Sequence, residues 1–199
     1  MGIETAKTGK LLYHLTKLSN LESIIQQGML PRKFILENGI KFGDIADGQI
    51  ISKRQELGLD KYTPFHFHPY SAFDVAVKHT YHGENMIYLC ISRELARAND
   101  FKILLKHPLS VQECKLYDYD EGFALIDWNT MMETNREDDY AKQVKMAECL
   151  TEKRILIQAF ICMYVPSQDV KNEVIKILKR NNVNFPPPYI NVMDMWFRE

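Results

Sequence analysis

Glycine and proline are scarce in this 199-residue sequence, which has 9 and 8 of them, and no segment is of low complexity. This scarcity excludes collagen-like and disordered chains. No apolar run approaches the roughly 18 residues of a membrane-spanning helix. Met1–Leu12 also lacks the apolar core of a secretion signal. We therefore expect a cytoplasmic protein with no membrane partner.

Cysteine is rare as well, and the four that occur are scattered without a C-x-x-C pair: Cys90, Cys114, Cys149 and Cys162. This pattern excludes a disulfide-framed miniprotein and predicts buried free thiols in a reducing cytosol. A chain of this length buries roughly 70% of its unfolded surface, enough for a core without disulfides. Since no linker or repeat interrupts the sequence, we expect one domain over residues 1–199.

An excess of charge of one sign is also missing. Lys and Arg number 25 against 26 Asp and Glu, so the net charge is −1. A nucleic-acid-binding protein usually carries a basic excess, and the total charge does not indicate one here. A local basic strip, cancelled elsewhere by acidic residues, would still be compatible with this balance.

Apolar runs and helical periodicities are mixed along the chain. Extended segments are expected at Leu11–Tyr13, Pro64–Phe67, Met86–Ser92, Phe101–Leu105, Phe123–Ile126, Ala159–Val165 and Tyr189–Val192. Helices are expected from an N-cap at Thr16 or Ser19 to Gly28, over Ser71–Thr80 and over Val170–Leu178. Pro31–Asp60 resembles a long loop dotted with glycine, a kind of loop that is usually functional or mobile. Because no strict βαβ rhythm appears, the pattern favours an α+β fold.

Motifs for phosphate or metal binding are weak. Neither G-x-G-x-x-G nor G-x-x-x-x-G-K-[ST] occurs, which argues against Rossmann and P-loop cofactor sites. His66 and His68 would share one strand face, with His79 and His82 following, but no motif supplies further ligands. A metal hydrolase built on these four histidines is an alternative, although no metal site is expected.

Three scattered residues are better candidates for chemistry. His14 ends the first strand just before a helix N-terminus, where backbone N–H groups favour an anion. Arg54 lies in the long loop, and a guanidinium suits a diphosphate. Glu148 follows the helical periodicity of Tyr140, Val144 and Ala147. Each also fits an ordinary role, as a core histidine, a solvated arginine and an exposed helix-end glutamate.

Taken in chain order, these residues form a pattern that resembles the DarT family of bacterial DNA ADP-ribosyltransferase toxins. The resemblance covers roughly Leu12 to Trp196. The elements that carry it are Tyr13-His14-x-Thr16, Asn20-Leu21 with Ile24, Gly28-Met29-Leu30, Arg54 ahead of Tyr62-x-Pro64-Phe65-x-Phe67-x-Pro69, Leu125-Ile126-Asp127-Trp128, Ala147-Glu148 and Val174-x-Lys176-x-Leu178.

The resemblance implies an ADP-ribosyltransferase-like α+β fold, with central split, twisted mixed β-sheets flanked by helices. It implies that Glu148 is the signature glutamate at a sheet edge, so the preceding helix must end before it. Arg54 would grip the diphosphate of NAD⁺, and both residues are the expected catalytic pair. The residues expected to hold NAD⁺ are His14, Thr16, Asn20, Arg54 and Phe73.

The resemblance also implies a reaction and partners. ADP-ribose would pass from NAD⁺ to a nucleobase of single-stranded DNA with release of nicotinamide, and no metal would be required. Breaking the nicotinamide–ribose bond creates an oxocarbenium-like centre, which a carboxylate bonded to the ribose 2′-hydroxyl stabilises. The expected protein partner is a macrodomain ADP-ribosyl-hydrolase antitoxin.

Departures from the family pattern concern the acceptor. Where relatives often read Pro-Arg-Ser-Pro-Met, this chain reads Pro69-Tyr70-Ser71-Ala72-Phe73, and Lys142 stands where an arginine is common. Tyr70 is a candidate for base stacking, and Lys142 and Lys145 are candidates for phosphate contacts. Transfer to RNA or protein, or a non-catalytic module that binds NAD⁺ or nucleic acid, remain alternatives.

Overall fold

The computed structural model describes residues 3–69, 71–111, 114–136, 138–183 and 188–198. Within them, eight strands form one mixed sheet in the order β5-β4-β6-β2-β1-β3-β7-β8. The strands are β1 Leu11–Lys17, β2 Thr63–His66, β3 Met86–Ser92, β4 Lys102–Leu104, β5 Tyr117–Asp118, β6 Glu148–Thr151, β7 Cys162–Val165 and β8 Tyr189–Val192. Only β7 and β8 pair in parallel; the other neighbours are antiparallel.

Helices cover both faces of this sheet. They are α1 Leu21–Gln27, α2 Arg32–Glu37, α3 Gly48–Glu56, α4 Ala72–Thr80, α5 Arg93–Ala98, α6 Tyr119–Leu125, α7 Trp128–Met132, α8 Asp139–Lys145 and α9 Gln168–Arg180. The expected α+β class is therefore confirmed. None of the described helices combines the length and the apolar character needed to cross a bilayer.

The centre of the sheet follows from the apolar run of β3. Six of its seven residues are buried, because successive side chains point to opposite faces and both faces are covered. Ile87 and Leu89 join the larger core cluster, whereas Tyr88 and Cys90 join a second cluster on the other face. β1 pairs with β3 along its full length but with β2 only at Tyr13 and His66. This narrow junction separates the sheet into two halves, the division expected for a split sheet.

Local signals locate several elements well. Ser71 caps α4 in a reciprocal capping box with Asp74, where the Ser71 hydroxyl accepts from the Asp74 N–H at 3.2 Å. Gly28 ends α1 at φ 81°, a conformation that favours glycine. The extended segments around β1, β2, β3, β4, β7 and β8 and the helices α1, α4 and α9 are confirmed, with boundaries shifted by a few residues.

Other expectations were wrong. Neither Thr16 nor Ser19 caps α1: Thr16 lies in β1, and Asn20 occupies the N-cap position. Phe123–Ile126 is not a strand, since Phe123 lies within α6 and its ring contacts the core. Arg54 is not in a loop, because the segment 31–60 contains α2 and α3.

Close contact between α6 and β4 provides a stability test. A Cβ added at Gly122 would lie 2.5 Å from the Cβ of Ile103 and 3.0 Å from that of Tyr117. We expect Gly122→Ala to lower the free energy of unfolding by about 1–3 kcal/mol, the usual cost of overpacking. Urea unfolding measures it. Gly48→Ala is the matched control, because a Cβ there meets nothing within 4 Å; equal stability of the two variants would contradict the expected crowding.

Candidate active site

A cavity lies where β1, β2 and β6 meet the segment that contains α1, α2 and α3. The sheet supplies its floor, and α3 and the loop before it supply a wall. The cavity gathers residues that are far apart in the sequence. Those expected to hold NAD⁺ or to act in catalysis all line it: His14, Thr16, Asn20, Arg54, Phe73 and Glu148.

Glu148 is the first residue of β6, three residues after α8 ends at Lys145. The expected end of the helix before the glutamate is therefore confirmed. The expected position at a sheet edge was wrong, because β6 lies between β2 and β4, and Glu148 pairs with His66 and Leu104. Only 4% of Glu148 is exposed. A carboxylate buried to this extent needs a charged or hydrogen-bonding partner.

Arg54 is that partner. Its Nη1 donates to both carboxylate oxygens of Glu148, at 2.8 Å to Oε1 and 2.7 Å to Oε2. Its Nη2 donates to the Leu59 carbonyl at 3.4 Å, a long contact. The last turn of α3 positions the guanidinium over the start of β6. Glu148 accepts only from Nη1, so the N–H groups of Nη2 and Nε can donate to another group. The same side chain can therefore orient the carboxylate and bind an anion.

His66 lies directly across from Glu148, on the neighbouring strand β2. Side chains of directly opposed residues point to the same face of a sheet, so the imidazole and the carboxylate are neighbours. The ring stacks on Phe73 with centroids 6.3 Å apart. Its Nδ1 is buried and has no hydrogen-bond partner among the described residues. The sequence suggested His66 as a metal ligand and not as a neighbour of Glu148, because the register between β2 and β6 is not visible in the sequence.

His14 is held as a neutral imidazole. Its Nδ1 lies 2.7 Å from the Pro64 carbonyl, which can only accept, so Nδ1 carries the proton and Nε2 is an acceptor. Burial lowers its pKa to about 4, although the Pro64 carbonyl opposes the shift. The ring adjoins Phe65, with centroids 5.5 Å apart. β1 thus presents an uncharged hydrogen-bonding ring to the cavity.

This pKa predicts a loss of stability in acid. The pKa of His14 falls from 6.5 to about 4 on folding, so the fold favours the neutral form. The contribution of His14 to the free energy of unfolding is fully present above pH 6.5 and is lost as the pH falls towards 4. Below that pH, the protonation of His14 lowers the free energy of unfolding by at most about 3 kcal/mol. We expect His14→Gln to lose less stability than the natural chain between pH 7 and about pH 4.5, as measured by urea unfolding. His79→Gln, at an exposed position, is the control; identical losses in all three proteins would contradict the assignment.

Asn20 shapes the cavity wall. Its Oδ1 accepts from the Gly43 N–H at 2.7 Å, and its Nδ2 donates to the Gly43 carbonyl at 2.9 Å and to Thr16 Oγ1 at 3.1 Å. A Cβ at Gly43 would meet the Lys17 side chain at 2.8 Å. These bonds tie the loop between α2 and α3 to the end of β1. The amide of Asn20 is thereby engaged with protein groups and holds this wall of the cavity in place.

A second groove adjoins the cavity, and the residues that line both include Phe73, His107 and Met146. Lys142 borders this groove. Lys145 turns away, because its Nζ donates to the Arg136 carbonyl at 2.7 Å. Tyr70, expected to stack on a base, lies outside the described residues. Of the two described candidates for nucleic-acid contact, Lys142 therefore lies at the groove and Lys145 does not.

His107 is a cavity residue that sequence reasoning missed. It precedes Pro108 after β4, and its Nδ1 accepts from the Leu109 N–H at 3.3 Å. Burial lowers its pKa, and the negative charge of Glu148 opposes that shift. A lone His-Pro step carries no recognisable signal. The pairing of β4 with β6 and the bond from the His107 N–H to the Gln143 carbonyl, at 3.0 Å, place it near Glu148.

The structure does not support the metal-hydrolase alternative. In the part of the chain that it describes, no group of three His, Cys, Asp or Glu side chains could hold a metal ion. His68 is buried, with its ring nitrogens 3.0 Å from the Pro69 carbonyl and 2.8 Å from the Lys145 carbonyl. His79 and His82 are exposed. The four histidines considered for a metal hydrolase therefore do not converge.

Comparisons with known proteins agree with this geometry. A family model described as "ssDNA thymidine ADP-ribosyltransferase, DarT" matches residues 13–198. The fold is similar to that of Thermus sp. 2.9 DarT in complex with ADP-ribosylated ssDNA, with a TM-score of 0.83 and 23% identity over 95% of this chain and 96% of that one. For Thermus sp. 2.9 DarT in complex with NAD⁺ the TM-score is 0.77, with 21% identity over 95% and 98% of the two chains.

A third similar structure is Thermosipho africanus DarTG in complex with ADP-ribose. It has a TM-score of 0.78 and 21% identity over 95% of this chain, which covers 51% of that longer one. No curated protein sequence matches this chain. Because the family model spans nearly all of the sequence, the resemblance is confirmed, and the chain belongs to the DarT family of NAD⁺-dependent, single-stranded-DNA thymidine ADP-ribosyltransferases.

Proposed function

We propose that this chain cleaves NAD⁺ and transfers ADP-ribose to the thymine base of single-stranded DNA, using Glu148 and Arg54. One observation carries the assignment of roles: a buried carboxylate and a guanidinium joined by two hydrogen bonds inside the cavity. Family membership supports the reaction, and structures of the Thermus protein are complexes with NAD⁺ and with ADP-ribosylated ssDNA.

The first step breaks the bond between nicotinamide and C1′ of the ribose. Nicotinamide leaves as a neutral molecule with the bonding electrons, and positive charge develops at C1′ and the ring oxygen. Glu148 accepts a hydrogen bond from the 2′-hydroxyl of that ribose, and its negative charge stabilises the developing positive charge. Arg54 holds the carboxylate through Nη1 and binds the diphosphate through its remaining N–H groups. The substrate is thereby fixed with its reactive carbon beside the carboxylate.

The second step attaches the base. Thymine in a nucleotide has one N–H, at N3, so the nucleophile is N3 after it loses that proton. Glu148 is the proposed acceptor of the proton. Because N3 is paired inside a duplex, the base must come from a single strand or be flipped out. The groove beside Phe73 and His107 opens into the cavity, and Lys142 at its border suits a phosphate.

We propose that residues 1–199 form one catalytic domain, that it acts in the cytoplasm, and that a macrodomain antitoxin reverses its product. The similarity to Thermosipho africanus DarTG, half of which this chain covers, supports the toxin–antitoxin setting. A macrodomain in the neighbouring reading frame that removes ADP-ribose from the modified oligonucleotide is the expected finding.

The reaction is tested with the purified chain, NAD⁺ and synthetic oligonucleotides. A single strand that contains one thymidine should gain the mass of one ADP-ribose and release an equal amount of nicotinamide. The same strand with N3-methylthymidine should not react, and its duplex should react slowly. RNA and protein acceptors are run in parallel. Modification of RNA alone, or of the N3-methylated strand, would overturn the proposed acceptor.

A further inference from the structure

Cys90 and Cys162 are 72 positions apart in the sequence, but the sheet makes them direct neighbours. They face each other in the antiparallel pair of β3 and β7. Both are buried, with 0% and 6% of their surfaces exposed, and both belong to the cluster that contains Tyr13, Tyr164 and Trp196. This contact is not visible in the sequence, because neither cysteine has another nearby along the chain.

Their geometry suits a covalent bond. Directly opposed residues of antiparallel strands have Cα atoms about 4.5–5.5 Å apart, within the range of about 4.4–6.8 Å that disulfides span. The two side chains also point to the same face of the sheet, because the residues are directly opposed. Closing the bond therefore requires a change of side-chain torsion and no rearrangement of strands.

The two thiols are not equivalent. The Cys90 thiol and the Tyr164 hydroxyl lower the pKa of Cys162, although its burial opposes that shift. Burial raises the pKa of Cys90. The thiolate is the nucleophile in thiol chemistry, so Cys162 is the sulfur that reacts first. Cys90 is then placed to react with the product.

We propose that Cys90 and Cys162 form a redox-sensitive pair that closes to a disulfide when hydrogen peroxide is present. The Cys162 thiolate attacks one peroxide oxygen, the O–O bond breaks, and after protonation water leaves and a sulfenic acid remains. Cys90 sulfur then attacks the Cys162 sulfur, and the thiol proton leaves with the displaced hydroxide as a second water. Two thiols are oxidised by two electrons and one peroxide is reduced. Thiol reductants reverse the bond.

The pair lies on the sheet that supports the cavity but outside it, since neither cysteine is among the cavity-lining residues. A row of directly opposed residues crosses the sheet from the cysteine pair to the cavity. It runs through Cys90, Tyr13, His66 and Glu148. The disulfide would thus join β3 to β7, three strands from Glu148. Its expected effect is a higher unfolding temperature of the oxidised protein, because a cross-link over 72 residues constrains the unfolded chain.

The test uses Cys114→Ser protein, because Cys114 is partly exposed and would form bonds between molecules. The folded protein is treated with hydrogen peroxide, alkylated and digested. Mass spectrometry should find the Cys90 and Cys162 peptides linked, with a loss of two hydrogens that dithiothreitol reverses. Thermal unfolding should occur at a higher temperature after oxidation. Cys149, buried on β6, should remain a free thiol and is the internal control.

Two variants test the order of the steps. Cys90→Ser should stop at a sulfenic acid on Cys162, trapped by dimedone, whereas Cys162→Ser should give neither product. If these variants fail to fold, the peptide map of the Cys114→Ser protein still shows whether Cys90 and Cys162 become linked. The proposal is overturned if no Cys90–Cys162 link forms at a peroxide dose that oxidises Cys114 in the natural chain, or if the link forms only in denaturant. Neither result bears on ADP-ribose transfer.

Discussion

Glu148→Gln is expected to lower the rate of ADP-ribose transfer by at least about 10²–10³-fold, the effect of removing one group that stabilises a charged transition state. The substitution keeps the shape of the side chain and an oxygen that accepts from Arg54, but it removes the negative charge. The buried site has little water to replace that charge, since 4% of Glu148 is exposed. The rate should therefore fall steeply, and some stability should be lost as well, because the buried Arg54 guanidinium loses its charged partner.

Three measurements separate this role from a structural one. Transfer is followed by the mass of a thymidine oligonucleotide, NAD⁺ binding by calorimetry, and stability by urea unfolding. Glu148→Gln should bind NAD⁺ and remain folded while the rate of transfer falls by at least about 10²–10³-fold. Glu152→Gln, whose carboxylate pairs with Lys61 near the end of the same strand, should keep full activity. A Glu148→Gln enzyme with an unchanged rate would disprove the catalytic assignment.

Local sequence signals account for the elements that are recognised most easily. β3 is a run of apolar residues, and α9 buries Val170, Val174, Ile177 and Leu178 at helical spacing. By contrast, α3 buries no residue, so it has no apolar face that periodicity can detect. Phe123 lies in an apolar run of strand length, yet Gly122 allows α6 to approach β4 closely, and tertiary contact decides the helix.

The site was predictable only in part, for a related reason. His14, Arg54 and Glu148 were candidates one by one, but only the family resemblance joined them into one site, because no spacing rule connects residues 40 and 94 positions apart. His66 and His107 adjoin Glu148 only through strand register, and register depends on packing across the whole sheet. The contact between Cys90 and Cys162 has the same origin. A sequence shows which residues can do chemistry, whereas the sheet decides which of them meet.

Arg54→Gln is expected to damage both stability and function. It removes the positive charge that pairs with Glu148, whose side chain is 6% exposed, and such a loss costs about 3–5 kcal/mol for a buried pair. It also removes the proposed diphosphate contact, so KM for NAD⁺ should rise by about 10-fold or more, given that bonds to charged groups contribute about 1.5–3 kcal/mol. Urea unfolding and initial rates measure the two effects.

The double variant Arg54→Gln with Glu148→Gln separates these contributions. If the cost of Arg54→Gln arises from an unpaired buried charge, removing the carboxylate as well should restore much of the lost stability. NAD⁺ binding should not recover, because the diphosphate still lacks its cation. Arg54→Lys should preserve most of the stability but bind NAD⁺ more weakly than the natural chain, since an ammonium cannot serve Glu148 and a diphosphate with the fixed fork of a guanidinium. A double variant less stable than Arg54→Gln would show that the pair is not the source of the cost, and recovery of NAD⁺ binding would remove Arg54 from the substrate site.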